Sequence, residues 1–202
     1  MEWILASASP RRKQLLTELV EQFDILPSKG EESLPDGCLP ERAVQLLARQ
    51  KAEEIAALSL AKGKAVLGAD TVVAYGGEIL GKPKDEADAK RMLTMLSGNT
   101  HEVFTGVCIA YPTENGHEFH TRAACTKVVF FPLTEEQIDG YIKSGSPMDK
   151  AGAYGIQDGG LVKEITGSYS NVVGLPVELC ASWIERIEKL RSTRTCPYAL
   201  LG

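Results

Sequence analysis

Apolar runs broken by glycine and polar clusters divide the chain into short strands and amphipathic helices. Glu2–Ala6 is a compact apolar run that predicts a strand. Next, Leu15, Leu16, Leu19 and Val20 recur at helical spacing behind Ser9-Pro10, an N-cap residue followed by a first-turn proline. Phe23–Leu26 predicts a second strand. Pro40–Leu60 carries the stripe Val44, Leu47, Ala48, Ile55 and Leu58 and predicts a long helix. The Lys62-Gly63-Lys64 turn leads into a strand over Ala65–Ala74, and Gly76-Gly77 turns the chain back through Ile79 and Leu80. Asp85–Leu96 reads as a helix with Ala89, Met92, Leu93 and Leu96 on one face, closed by Ser97-Gly98-Asn99-Thr100. His101–Tyr111 alternates as a strand, Asn115-Gly116 signals a hairpin, and Glu118–Phe131 is the return strand. Thr134 with Glu135, Glu136 and Gln137 opens another helix, which ends at Ser144–Pro147. Leu161–Ile165 predicts a strand and Gly167–Asn171 a turn. Leu175-Pro176 leads into a last helix to about Leu190.

Strands alternate with helices in the first half, and a hairpin and two helices fill the second. This order predicts an α/β fold with a mixed sheet. The chain has no internal repeat or linker, so residues 1–190 are expected to form a single domain. Periodicity stops at Arg191, and residues 191–202 are expected to be a loose tail.

Composition narrows the function classes. The 202 residues carry 22 basic and 27 acidic side chains, a net charge of −5. That balance argues against general nucleic-acid binding while leaving room for a local basic pocket. Five cysteines, an odd number, are widely spaced and form no C-x-x-C pair. Neither a zinc site nor a disulfide framework is expected, and Cys108, Cys125 and Cys180 read as small buried hydrophobes. The N-terminus lacks a basic segment followed by a long apolar run, so no signal peptide or membrane span is expected and the cytoplasm is the expected compartment.

Candidate chemistry centres on Asp70, a carboxylate inside the apolar run Val66–Tyr75. Aspartate is unfavourable in strands, and an ionised carboxylate is costly to bury without a partner. It either caps a loop at a strand end or serves a site, towards which the following turn would bring Lys82. The segment Ser7-Ala8-Ser9-Pro10-Arg11-Arg12 joins a strand to a helix N-terminus and places hydroxyls and guanidinium groups where backbone N–H groups are free, an arrangement suited to anions. Its spacing is not that of a P-loop. Lys51 either points inward from the long helix or lies exposed, and Glu31-Glu32 lie in a loop. Met148–Gln157 is dense in Gly and Ala, which lets a backbone approach a ligand closely. His101 stands alone without metal-ligand spacing and reads as structural. No G-x-S-x-G elbow surrounds Ser7 or Ser9. Cations gathered with Glu32 and Asp70 suit a phosphate ester bound with a divalent metal.

The motifs Leu5–Arg12, Gly68–Val73, Gly81-Lys82-Pro83, Leu96-Ser97-Gly98 and Asp149–Gln157 resemble, in order, those of the Maf family of nucleotide pyrophosphatases. The resemblance implies a fold like that of the inosine triphosphate pyrophosphatases, with a cleft between two lobes. It implies hydrolysis of a nucleoside triphosphate to the monophosphate and pyrophosphate with Mg²⁺ or Mn²⁺, and it is compatible with a homodimer. Asp149–Gln157 is similar to the branch acting on dTTP and UTP rather than on 7-methyl-GTP. By the same resemblance Asp70 is the proton acceptor, and Arg11, Thr71 and Gln157 fall at specificity positions. Ser7, Arg12, Lys51 and Lys82 face the phosphates, and Glu32 and Asp70 hold the metal. The chain departs from the family at Asp158, where many members have glycine, which places an extra carboxylate beside the base pocket or turned away from it.

Overall fold

The computed structural model describes the backbone of residues 1–194 and the side chains of residues 1–189. Seven strands among them form one mixed sheet in the order β2-β1-β3-β5-β6-β7, with β4 paired to β3. They are β1 (Trp3–Leu5), β2 (Phe23–Ile25), β3 (Ala65–Tyr75), β4 (Glu78–Leu80), β5 (Thr100–Thr113), β6 (Gly116–Phe130) and β7 (Val162–Thr166). The helices are α1 (Pro10–Leu16), α2 (Pro40–Ala56), α3 (Glu86–Leu96), α4 (Glu135–Lys143), α5 (Tyr169–Val173) and α6 (Val177–Arg194). β1 runs parallel to β2 and β3, while the pairings of β3 with β4 and β5, and of β6 with β5 and β7, are antiparallel. The α/β class with a mixed central sheet flanked by helices is therefore as the sequence pattern predicts.

Helix α2 lies across β3 and β5 and buries Ala43, Val44, Leu47, Ala48, Ala52 and Ile55. Two strand positions must be glycine for this packing. A Cβ on Gly68 would sit 2.3 Å from the Ala48 carbonyl oxygen, and one on Gly106 2.2 Å from that of Val44. Without side chains there, helix backbone rests directly on strand backbone.

The core divides along β3. At its start, Val66 packs with Ile4, Ala48 and Ile55 on the α2 face, while Leu67 and Ala69 pack with Trp3, Leu16, Leu175 and Trp183 on the other. At its far end, Val73 joins Leu80, Leu93, Leu96, Phe130 and Tyr154 beneath α3 and α4. The middle of β3 lies between these lobes.

Several boundaries differ from expectation for local reasons. Ser9 caps α1 as predicted, but the helix stops at Leu16, and Leu19 and Val20 reach the core from the following turns. α2 ends at Ala56 and is followed by one turn of 3₁₀ helix, Ser59–Ala61. The β5–β6 connection is Glu114-Asn115, so Gly116 already belongs to the return strand. Ser168 caps a short helix, α5, within what reads as a turn. α6 continues to Arg194, so 191–194 are helical rather than a loose tail, and the rest of that segment lies outside the described residues. Cys108 and Cys180 are buried, but Cys125 is exposed, a correction to the reading of all three as core. Among the described residues no helix is long and apolar enough to cross a membrane.

Candidate active site

Strand β1 pairs with β3 only as far as Leu5–Leu67, and β4 joins the same edge at Val73–Leu80. Between them, β3 has no strand neighbour on that side among the described residues, and a cavity of about 790 Å³ opens there. Successive strand residues face opposite sides. Asp70 therefore follows Val66 and Gly68 to the α2 face, and Thr71 follows Leu67 and Ala69 to the other, yet at the gap both border the cavity. The loop after β1 enters from one side and Gly81-Lys82, after β4, from the other. Ser7, Arg11, Arg12, Glu32, Lys51, Asp70, Thr71, Lys82 and Gln157 all line this space.

Asp70 is not a strand-end cap. It lies mid-strand opposite Gly106 and accepts a hydrogen bond from the Lys51 ammonium, with both side chains 14% exposed. Lys51 points inward because α2 rests on Gly68, and it also pairs with Glu32 Oε1 at 2.9 Å. The Glu32 loop is clipped to the same helix. Glu54 accepts the Lys29 and Gly30 N–H groups at 2.8 and 2.9 Å, and the Gln50 amide bonds both the N–H and the C=O of Ser33. Those backbone bonds hold the Glu54 carboxyl below its usual range. Glu32 is thus held at the site rather than simply solvated.

On the other side of β3, the Arg12 guanidinium ties three segments together. It donates to the Gly174 carbonyl at 2.9 Å, Ser7 Oγ at 3.2 Å and Thr71 Oγ1 at 3.1 Å. Thr71 Oγ1 lies 2.9 Å from Thr105 Oγ1, which donates to the Asn171 carbonyl. Burial pushes the Arg12 pKa down, opposed by the charge of Asp70. Arg11 crosses the cleft mouth to Asp149, donating to Oδ2 at 2.9 Å, and Asp149 is shared with Lys150 at 2.8 Å. Gln157 sits on the 3₁₀ turn Ile156–Asp158. The Asp158 carboxylate turns to Tyr141 and Ser146 rather than into the cavity.

The acidic pair can be tested for a metal. Oxygens of Glu32 and Asp70 converge on one point, now taken by the Lys51 ammonium, and carboxylate oxygens are hard donors suited to Mg²⁺ or Mn²⁺. No group of three or more His, Cys, Asp and Glu among the described residues could hold a metal. One or two carboxylates completed by water and substrate phosphates is the usual mode for Mg²⁺, and the donor set fits it.

Residues 2–187 match the Maf-like protein family. The chain belongs to that family. It is 51% identical over 191 residues to a protein of Agathobacter rectalis named dTTP/UTP pyrophosphatase, covering 86% of this chain and 91% of that protein. Identity to a Geobacillus protein of the same name is 51% over 186 residues, with 91% and 97% covered. A Thermococcus kodakarensis protein of that name is 49% identical over 178 residues, with 87% and 92% covered. Among solved structures, the Ham1 protein of Staphylococcus aureus superposes with a TM-score of 0.53 at 14% identity, over 93% of this chain and 100% of that one. A HAM1 protein of Coxiella burnetii gives 0.53 at 15%, over 92% and 99%. These two bear on the fold alone.

The Maf-like site also contains groups that sequence reasoning passed over. Thr105 reaches Thr71 because β5 pairs with β3 in a register that sets the two opposite each other, and register is not readable from either strand. The Gly174 carbonyl has no side-chain signature. The glycines of the Asp149–Gln157 motif serve packing in this fold: a Cβ on Gly152 would meet Val73 Cγ2 at 2.7 Å, and one on Gly155 would meet Lys150 Cε at 2.7 Å. His101 is structural. It is 2% exposed, its Nε2 lies 2.8 Å from the Tyr154 hydroxyl, and burial pushes its pKa down to about 4.

Proposed function

We propose that the protein is a nucleoside triphosphate pyrophosphatase that hydrolyses dTTP and UTP to the monophosphate and pyrophosphate. The observation that carries this reading is the meeting of Asp70 and Glu32 on Lys51 inside a cavity also lined by Ser7, Arg11, Arg12 and Lys82. Guanidinium forks and ammonium groups neutralise a triphosphate, and a carboxylate among them takes a proton from water. The names of the relatives support the substrate pair.

In this mechanism water attacks the α-phosphorus, and its bond to the α–β bridging oxygen breaks. The electron pair leaves with pyrophosphate, and the proton of the attacking water passes to Asp70. Arg12, held by Gly174, Ser7 and Thr71, presents a fixed donor face to phosphate oxygens, and Lys82 adds charge from the opposite side. Glu32 and Asp70 would hold a divalent cation, which supplies charge neutralisation at the phosphate oxygens when bound. The Gln157 amide offers both a donor and an acceptor, matching the N3–H and O4 of uracil or thymine. Arg11 and Thr71 border the same cavity as specificity positions.

The test is pyrophosphate release from a panel of nucleoside triphosphates with Mg²⁺ or Mn²⁺, with Asp70→Asn alongside. Release from dTTP and UTP that drops by about 10²-fold or more in the variant is expected. Turnover mainly of 7-methyl-GTP or a purine refutes the role of Gln157, and nucleotide binding without turnover refutes the enzymatic reading.

A further inference from the structure

Asp158 has no part in the chemistry above, yet it is tied closely to the turn that carries Gln157. That turn, Ile156–Asp158, is closed by the Asp158 N–H donating to the Gly155 carbonyl at 3.1 Å. The Asp158 carboxylate accepts from the Tyr141 hydroxyl and, at 2.7 Å, from the Ser146 hydroxyl. The same Tyr141 oxygen accepts the Gly155 N–H at 3.0 Å. One side chain of α4 therefore holds both ends of the turn, the backbone at its entry and the carboxylate at its exit, with Gln157 between them.

Gly159 and Gly160 follow with φ of 74° and 76° in open space, and the chain is next anchored at the buried Leu161, whose carbonyl accepts the Phe131 N–H at 2.9 Å. On the near side the turn is packed tightly, since a Cβ on Gly155 would fall 2.9 Å from Asp158 Oδ2. Burial opposes ionisation of Asp158, but the bonds from Tyr141 and Ser146 and the charge of Lys150 outweigh it and hold the carboxyl below its usual range. Ser146 also accepts from Lys150 at 2.9 Å, Lys150 donates to Asp149, and Asp149 accepts from Arg11. A continuous polar chain thus links the Gln157 turn to Arg11 on the opposite wall of the cleft.

We propose that Asp158, clamped by Tyr141, is a positioning residue that sets the aim of the Gln157 amide and with it the preference for a pyrimidine base. The inference rests on the reading of Gln157 as the group that meets the base of dTTP or UTP. Because Asp158 acts on the base and not on the phosphates, its loss changes KM and base preference rather than kcat.

The experiment is steady-state pyrophosphate release from dTTP, UTP and dATP by the full chain and by Asp158→Ala, Asp158→Asn, Tyr141→Phe and the Ala/Phe double variant, with folding followed by circular dichroism. Asp158→Ala is expected to raise KM for dTTP and UTP about tenfold, with kcat within about twofold, and to lower the dTTP-to-dATP ratio of kcat/KM by about tenfold, as for loss of hydrogen bonds to a charged group. Asp158→Asn keeps an acceptor oxygen and restores most of the preference. Tyr141→Phe matches Asp158→Ala, the double variant loses no more than either, and Tyr141→Phe carries the test if Asp158→Ala does not fold. An unchanged dTTP-to-dATP ratio in folded variants, or a fall in kcat alone, overturns the inference while the proposed activity stands. A parent enzyme with no preference for pyrimidine triphosphates overturns the underlying reading and this inference with it.

Discussion

Replacing Gly68 by alanine would test whether the close approach of α2 to the sheet is what positions Lys51. The new Cβ would lie 2.3 Å from the Ala48 carbonyl oxygen and 2.8 Å from the Ala52 nitrogen, both helix backbone atoms that cannot rotate away. To reach ordinary contact the helix must retreat by about 1 Å, and overpacking of this kind costs about 1–3 kcal/mol. Lys51 lies one turn from Ala48 on the same helix and moves with it, and Gln50 and Glu54 carry the Glu32 loop along. Displacement of a catalytic group by about 1 Å costs about 10²-fold in rate. Urea denaturation is expected to show a loss near the upper end of that range, and pyrophosphate release a fall in kcat of about 10²-fold. Gly140→Ala is the control. It lies inside α4 with nothing within 4 Å of its Cβ, so it should stabilise by about 0.5–1 kcal/mol without changing rate. A Gly68→Ala protein within about 0.5 kcal/mol of the parent and with undiminished turnover would refute the claim that this contact sets the site.

Three further outcomes follow from the same geometry. Arg12→Lys keeps the charge but not the fork that bonds Gly174, Ser7 and Thr71, so kcat/KM for dTTP should fall about 10- to 100-fold and thermal melting should shift downward. His101 is held neutral down to about pH 4 in the fold but takes a proton near pH 6.5 when unfolded. The unfolded chain therefore binds more protons between these values, and stability should fall as pH drops from 6.5 towards 4, by up to about 3 kcal/mol. Denaturation midpoints across that range would show it, and His101→Gln should flatten the slope. Removal of divalent metal with a chelator should abolish pyrophosphate release, and Mg²⁺ or Mn²⁺ should restore it in the parent. Glu32→Gln should raise the metal concentration needed by about tenfold, readable as weaker Mn²⁺ binding by titration without turnover.

Much of this protein was legible along the chain because the signals are local. The stripe of α2, the Ser9 and Thr134 caps and the alternation of the hairpin strands depend on residues a few positions apart, and each produces its element. The motif resemblance named the residues that line the cavity. Pattern misjudged boundaries where a neighbour decides them: α6 runs past the end of its periodicity, and Cys125 sits on an outward face of β6.

Tertiary structure alone decided how those residues meet. Asp70 is an anomaly in its own strand and acquires a partner only because Gly68 and Gly106 let α2 descend far enough for Lys51 to reach it. Thr71 points to the opposite face, yet it borders the same cavity because β1 stops at Leu5 and the antiparallel β4 pairs with β3 only from Val73 onward, leaving the edge of β3 open between them. Arg12 reaches Gly174 across 162 positions of chain, and Asp158 finds Tyr141 and Ser146 on a neighbouring wall. The sequence by itself determined which elements form and which chemical groups are present, since propensity, capping and periodicity act over one or two turns. Strand register, the gap in the sheet edge and the partners of each charge came from packing between distant segments, because short-range preferences do not specify which surfaces are buried together.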